Sequence, residues 1–170
     1  MNPTLYWIPT SSPGKITISA RPRGGDWLED EIEGWRKQGI DIAVSLLTPA
    51  ENKEFDLQSE AAESKTKGIQ FISFPIEDRN VPQSSGKFEE LIAKLASEIQ
   101  RGRSIAVHCR QGIGRSSLLS PALLAFQGED LEDSLSSISW ARGIAVPETV
   151  EQRNCLARFA RTHRPLAPRS

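Results

Sequence analysis

Short apolar runs rich in β-branched residues alternate along this chain with longer amphipathic segments. The runs predict strands at Leu5–Ile8, Ile16–Ser19, and residues 40–47, 69–74 and 104–108. The segments between the later runs each have one apolar face, which predicts helices over residues 27–38, 49–67 and 88–100. Alternating strands and helices are typical of an α/β fold, so we predict a mostly parallel sheet of about five strands flanked by helices.

The chain after Arg115 has no further strand pattern and is predicted to be entirely helical. Its predicted helices are Ser116–Phe126, Leu131–Arg142 and residues 147–162. The first of these is apolar on nearly every side, which indicates a buried central helix. Two earlier helix starts carry residues typical of capping boxes, Asp26 with Glu29 and Thr48 with Glu51.

The length of 170 residues fits one domain, which we expect to have its core at residues 15–163 and a flexible tail at residues 164–170. The 21 basic and 22 acidic residues nearly cancel, which argues against nucleic-acid and membrane partners. No apolar run is long enough to span a bilayer, so we expect a soluble, cytoplasmic monomer. The two cysteines, Cys109 and Cys155, are too few for a disulfide framework or a zinc site, and we expect no metal or cofactor.

The segment from His108 to Ser116 has the features of a phosphate-binding loop. Its glycines, Gly112 and Gly114, permit positive φ and close backbone approach, so that successive N–H groups can surround an anion. The loop opens directly into a helix whose N-terminus also attracts negative charge. Arg115 adds a planar guanidinium that can bind two phosphate oxygens at once.

The same surroundings favour the thiolate form of Cys109, which lies at the end of the predicted strand and is positioned to attack phosphorus. Ser116 can donate a hydrogen bond to the sulfur, and His108 can brace the loop through its ring nitrogens. The remaining loop residues are candidates for substrate binding: Arg110, Gln111, Gly112, Ile113 and Gly114. The alternative is a buried structural cysteine beside a helix-capping arginine.

The pattern His-Cys-x5-Arg-Ser, from His108 to Ser116, resembles the signature loop of the cysteine-dependent protein tyrosine phosphatase superfamily. The similarity extends from about Ile16 to Phe159, mostly as pattern rather than motif. The chain has neither the length nor the Trp-Pro-Asp loop of tyrosine-specific members. It looks closer to the compact dual-specificity type, in particular the atypical, cyclin-dependent-kinase-inhibitor-3-like group. The resemblance implies hydrolysis of phosphoprotein or phosphopeptide substrates through a cysteinyl phosphate.

A departing alkoxide or phenoxide needs a proton, so a carboxylic acid is expected near the loop. Asp78 follows the fourth predicted strand and precedes Cys109 by 31 residues, a spacing similar to that of the acid loop in dual-specificity phosphatases. We predict Asp78 as the general acid. Glu77, or an aspartate that only forms a turn, is the alternative.

The segment from Pro147 to Gln152 resembles the Gln-Thr-x-x-Gln motif by which many family members position the hydrolytic water. Gln152 matches the second glutamine, whereas Glu148 replaces the first. Gln152 is therefore a candidate substrate-site residue, or a buried glutamine satisfied by backbone groups. Cys155 could form a protective disulfide with Cys109 or could simply fill the core.

Several other side chains leave alternatives open. Arg21 and Arg23 could line the substrate mouth or belong to a solvated turn. The tryptophans are assigned from their segments: Trp27, Trp35 and Trp140 to the core, and Trp7 to the first strand.

The substrate also stays open within the phosphatase reading. Phosphoinositide phosphatases tend to carry lysines at the first and fourth variable positions of the loop, where this chain has Arg110 and Ile113. A phosphoinositide or other non-protein phosphate monoester is therefore an alternative substrate. A non-catalytic phospho-binding module is a further alternative, and a sulfurtransferase-like loop is less favoured still. Binding alone does not require the Cys109 thiol, which argues against the module.

Overall fold

The computed structural model describes residues 4–163, and these form one five-stranded sheet with helices on both faces. The strands are β1 Leu5–Ile8, β2 Ile16–Ser19, β3 Ile42–Ser45, β4 Gln70–Ser73 and β5 Ile105–His108. Their order is β1-β2-β5-β3-β4; β1 is antiparallel to β2, and the other neighbours are parallel. The predicted mostly parallel α/β fold is confirmed. The predicted flexible tail at residues 164–170 lies outside the described residues.

The helices are α1 Leu28–Lys37, α2 Pro49–Glu54, α3 Glu60–Thr66, α4 Ser85–Gln100, α5 Ser116–Phe126, α6 Leu131–Arg142 and α7 Val150–Thr162. Alternate residues of the central strands point to opposite faces of the sheet, as strand geometry requires. In β5, Ile105 and Val107 join the apolar cluster formed with α4 to α7, whereas Ala106 joins the cluster formed with α1. Helix α5 is buried along almost its whole length, as predicted.

The predicted helix over residues 49–67 is wrong in one respect, because it divides into α2 and α3. Asp56 adopts a left-handed conformation with φ 54°, which interrupts helical geometry. The next residue, Leu57, is then turned into the core, where it is 2% exposed. The periodicity of the segment predicts the apolar face but not this local break.

The capping predictions have different outcomes. Thr48 and Glu51 form the predicted capping box at the start of α2. The predicted box of Asp26 and Glu29 is wrong, because Trp27 occupies the N-cap of α1 without a side-chain cap bond. A 3-10 turn at Gly25–Trp27 precedes the helix and supplies its first turn instead.

Tryptophan burial also departs from prediction. Trp35 is fully buried between α1 and the sheet, as predicted, whereas Trp27 is 56% and Trp140 84% exposed. A tryptophan's presence in a predicted helix did not show whether its side chain faces the core.

The last predicted helix, over residues 147–162, starts later than predicted. Residues 147–149 lie before α7, since Thr149 is the N-cap.

Four parallel strands end at one edge of the sheet. The register sets Ser19, Ser45 and His108 side by side at the ends of β2, β3 and β5, and Ser73 of β4 opposite Ser45. The loops that follow these strands must therefore meet at this edge, where open α/β sheets bind ligands.

Candidate active site

The loop from Cys109 to Arg115 connects the central strand β5 to the buried helix α5. Gly112 has φ 73°, the left-handed conformation that favours glycine. Gly114 does not share this conformation; a Cβ there would meet the ends of two side chains, at 2.6 Å from Glu148 Oε2 and 3.3 Å from Gln152 Nε2. The prediction of positive φ thus holds for Gly112 and is wrong for Gly114.

Two arginines bind the carbonyl oxygens of this loop. Arg21 Nη1 donates to the Arg110 oxygen at 3.4 Å, and Arg142 donates to the Gln111 and Gly112 oxygens at 3.1 and 2.8 Å. In a trans peptide unit the N–H points away from the C=O. The N–H groups of Gln111, Gly112 and Ile113 consequently point away from the two arginines. An anion-binding loop needs its backbone N–H groups turned away from such carbonyl partners, and this loop meets that requirement.

Arg115 is only 1% exposed, and its guanidinium presents one edge to Glu51 of α2. Nη1 donates to Glu51 Oε1 at 2.6 Å and Nη2 to Oε2 at 2.8 Å, while Nη1 also donates to the Ile76 carbonyl at 2.8 Å. Nε is buried and has no hydrogen-bond partner within residues 4–163. The edge formed by Nε and Nη2 is therefore the one left for two oxygens of an oxyanion.

The charges of this pair stabilise each other. Burial alone would raise the pKa of Glu51, but hydrogen bonds from Arg115 and Thr48, together with the charge of Arg115, hold that pKa below its ordinary value. Burial would likewise lower the pKa of Arg115, but Glu51, Cys109 and Asp78 outweigh it and raise the pKa. Both groups are consequently ionised at neutral pH.

Asp78 lies beside the guanidinium, with its Oδ1 3.4 Å from Arg115 Nη2, and its side chain is 50% exposed. It belongs to the loop after β4 and lines a cavity of about 140 Å³. The cavity is lined by Asp78, Arg79, Cys109, Arg110, Gln111, Ile113, Gly114, Arg115 and Glu148. The structure thus brings together the predicted nucleophile, acid and arginine. Glu77 does not line this cavity and is exposed.

An ion pair joins the two loops at the mouth of this cavity. Arg79 Nη1 donates to Glu148 Oε1 at 2.6 Å, and Arg79 itself has a left-handed φ of 63°. Glu148 stands where the motif has its first glutamine. In this chain the position links the loop after β4, which carries Asp78, to the segment before α7.

Gln152 is fully buried, and both of its side-chain groups bind backbone. Oε1 accepts from the Thr149 N–H at 3.2 Å, and Nε2 donates to the Asn80 carbonyl at 3.2 Å. Gln152 therefore caps α7 and binds the loop after β4, an arrangement that matches the backbone-satisfied alternative.

His108 and Ser116 flank the loop from within the core. His108 Nε2 lies 2.6 Å from Glu60 Oε1 of α3, and its ring packs 5.7 Å from that of Trp35. The imidazole thus braces the end of β5 against α3. Ser116 Oγ is buried and makes no hydrogen bond to any residue in the described part of the chain, so the predicted hydrogen bond to the Cys109 sulfur is not formed.

Both cysteines are free thiols. Cys155 packs against the apolar core beside Arg158 on α7. Burial raises the pKa of the Cys155 thiol, against a smaller opposite effect of Arg158. These surroundings disfavour the thiolate that disulfide exchange requires and fit a core-filling role.

Three residues of this site were not anticipated from the sequence. Glu51 was predicted only as a capping residue, and Glu60 and Arg142 were not singled out. The capping pattern already accounts for Glu51, and its partner Arg115 lies 64 residues away. Neighbouring residues therefore do not indicate that these two side chains pair. Nothing local in the sequence marks Glu60 or Arg142.

Fold and loop together define the class of cysteine-dependent phosphatases. The family model for the dual specificity phosphatase catalytic domain matches residues 36–159. The chain therefore belongs to the dual specificity phosphatase family.

Individual relatives are more distant. Rat cyclin-dependent kinase inhibitor 3 is 25% identical over 134 residues, which cover 78% of this chain and 63% of the rat protein, less than two thirds of its length. A crystal structure of kinase associated phosphatase, with serine replacing its catalytic-site cysteine, aligns with a TM-score of 0.84 at 20% identity and covers 95% of this chain and 96% of that one.

PTPMT1 in complex with PI(5)P shares the fold at a TM-score of 0.73 and 15% identity, covering 92% of this chain and 96% of that one.

Among the described residues, no helix has the length and apolar character needed to cross a membrane.

Replacing Glu51 with glutamine removes the charge that pairs with Arg115, and we expect a loss of about 3 kcal/mol in the free energy of unfolding at pH 7. Because the pKa of Glu51 is lowered in the folded state, its contribution is complete above the ordinary glutamate range and lost as pH falls through the folded pKa. The stability difference between wild type and Glu51→Gln should therefore narrow on acidification, as measured by urea unfolding at several pH values.

Glu54→Gln is the matched control, since Glu54 lies on the same helix with its side chain 54% exposed. It should change the free energy of unfolding by no more than about 0.5 kcal/mol at any pH. A difference between wild type and Glu51→Gln that stays constant or widens with acidification would contradict the role given to the pair.

Proposed function

We propose that this chain hydrolyses phosphate monoesters on tyrosine and on serine or threonine side chains of proteins, through a cysteinyl-phosphate intermediate. The observation that carries the proposal is the Nε and Nη2 edge of Arg115, whose Nε has no hydrogen-bond partner within residues 4–163 and which lies in the cavity that Cys109 and Asp78 also line. Such an edge binds two oxygens of a tetrahedral oxyanion. Glu51 fixes the plane of the guanidinium by occupying its other edge.

In the first step the Cys109 thiolate attacks phosphorus, an S–P bond forms, and the P–O bond to the leaving group breaks. The N–H groups of Gln111, Gly112 and Ile113 and the Arg115 edge stabilise the charge on the three non-bridging oxygens. Asp78, in its protonated form, gives its proton to the departing oxygen. The products of this step are the free hydroxyl and the cysteinyl phosphate.

In the second step water attacks the same phosphorus. Asp78, now a carboxylate, takes a proton from that water, the S–P bond breaks, and the thiolate and inorganic phosphate are released. Gln152 contributes through Asn80, since its amide binds the carbonyl of the acid loop. Arg79 and Glu148 hold the same loop from the other side of the mouth.

A protein substrate is supported by the family and by its similarity to cyclin-dependent kinase inhibitor 3. The second candidate is a phosphoinositide, favoured by Arg110 in the catalytic cavity and by the fold shared with PTPMT1 in complex with PI(5)P. The cavity also contains Ile113, which offers no charge to a further phosphate. We therefore rank the protein substrate first.

Replacing Cys109 with serine should abolish hydrolysis of an aryl phosphate, because a hydroxyl in this loop is far less nucleophilic than a thiolate. Binding of inorganic phosphate, measured by calorimetry, should persist, because the amides and Arg115 remain. Cys155→Ser is the matched control and should retain turnover. Hydrolysis by the Cys109→Ser protein at the wild-type rate would exclude the covalent mechanism.

Replacing Asp78 with asparagine should lower kcat by about a hundredfold or more for alkyl phosphates, whose leaving oxygen depends on protonation. The loss should be much smaller for activated phenols such as nitrophenol. Glu77→Gln changes the neighbouring exposed carboxylate and should leave both rates close to wild type. Equal losses for the two leaving groups in Asp78→Asn would remove Asp78 from the acid role.

Substrate class is tested by comparing kcat/KM for three substrates. These are a phosphotyrosine peptide, the same peptide with phosphothreonine, and a short-chain soluble phosphoinositide. We expect hydrolysis of both peptides and a much lower kcat/KM for the phosphoinositide. A preference for the phosphoinositide would favour the second candidate.

A further inference from the structure

A second group of cations adjoins the catalytic loop. The guanidinium carbon of Arg21 lies 3.8 Å, and that of Arg110 4.9 Å, from the centroid of the Phe55 ring. Arg21 comes from the loop after β2, Phe55 from the end of α2, and Arg110 from the catalytic loop itself. The ring contacts both guanidinium groups by cation–π interaction, while Arg21 Nη1 also donates to the Arg110 carbonyl and Arg110 Nη2 lies 3.6 Å from Glu54.

The side chains of Arg21, Phe55 and Arg110 line two cavities on the surface. Arg110 lines the catalytic cavity of about 140 Å³, and Arg21 and Phe55 line a neighbouring open cavity of about 370 Å³. The hydrogen bond from Arg21 to the Arg110 carbonyl fixes the boundary between them. A ligand that extends out of the catalytic cavity past Arg110 therefore reaches Arg21.

The local charges leave Arg21 available. Arg23 is paired with Glu31 at 2.6 Å and Arg110 with exposed Glu54 at 3.6 Å. Within residues 4–163, no carboxylate lies within 4.0 Å of Arg21. Both guanidinium groups are cationic and lie against one ring, so their combined charge attracts an anion to this part of the surface.

We propose that Arg21 and Arg110, held on Phe55, form a second anion subsite that binds an acidic or phosphorylated side chain near the phosphorylated residue of a peptide substrate. The proposal rests on the protein phosphatase function above. The two separate cavities suit an extended peptide, in which a neighbouring residue lies about 3.3 Å further along per position.

The test compares kcat/KM for matched phosphopeptides with neutral flanks, with aspartates before the phosphoresidue, and with aspartates after it. Wild type should prefer at least one acidic peptide by about fivefold at low salt, with the preference shrinking as salt rises. Arg21→Gln should bring the ratio of acidic to neutral kcat/KM close to one. Glu54→Gln, which removes the carboxylate competing for Arg110, should raise that ratio.

Arg101→Gln is the matched control, because Arg101 is an exposed arginine that follows α4 and pairs only weakly with Glu98 at 3.7 Å. It should leave the ratio at its wild-type value. Arg21→Gln could also loosen the catalytic loop, but that effect would lower kcat/KM for all peptides equally and would not move the ratio. A wild-type ratio of one, or a preference that survives Arg21→Gln, would overturn the subsite.

The last comparison measures kcat/KM for soluble phosphoinositides with one and with two phosphates. An Arg21-dependent preference for the doubly phosphorylated form, without any preference among the peptides, would overturn the assignment to peptides. The proposed function is tested separately by hydrolysis of the neutral peptide. Wild type should hydrolyse it, and Cys109→Ser should not. If that hydrolysis is present and the ratio is one, only the subsite fails; if no peptide is hydrolysed, both proposals fail.

Discussion

The paired contact between Glu51 and Arg115 is the interaction on which the rest of the site depends. A buried guanidinium without a partner would be strongly destabilising, and Glu51 supplies that partner with two hydrogen bonds of 2.6 and 2.8 Å. The same contact fixes the guanidinium plane, so the remaining edge points in one direction before any ligand arrives. Preorganisation of this kind reduces the ordering cost that binding an anion would otherwise carry.

The conformation of the catalytic loop depends on its own glycines and also on arginines from other segments. Carbonyl oxygens that faced the cavity would repel an anion, and here three successive carbonyls are held by Arg21 and Arg142 on the far side. The left-handed Gly112 permits this turn, while Gly114 makes room for Glu148 and Gln152. The two glycines therefore differ physically: Gly112 adopts a left-handed conformation, and Gly114 lies against the ends of two side chains.

The sequence predicted the elements whose signals are local. All five strands, the capping box at Thr48 and the loop after β5 are read from neighbouring residues. It did not predict the contacts that join distant segments, such as Glu60 with His108, 48 residues apart. The exposure of Trp140 was missed for a related reason, since helical periodicity alone does not tell which face a neighbouring element will cover.

Arg21 contacts the catalytic loop and also lines the neighbouring cavity. Its guanidinium is shared between a loop carbonyl and the Phe55 ring, so a ligand that draws on its free edge acts on a group already bonded to the loop. Within the loop, Gln111 and Ile113 carry no charge, and Arg110 is the variable residue that can read a substrate electrostatically. If the backbone amides and Arg115 bind the phosphate, as we propose, they bind a group common to all phosphate esters, and discrimination among these esters must then depend on side chains around the loop.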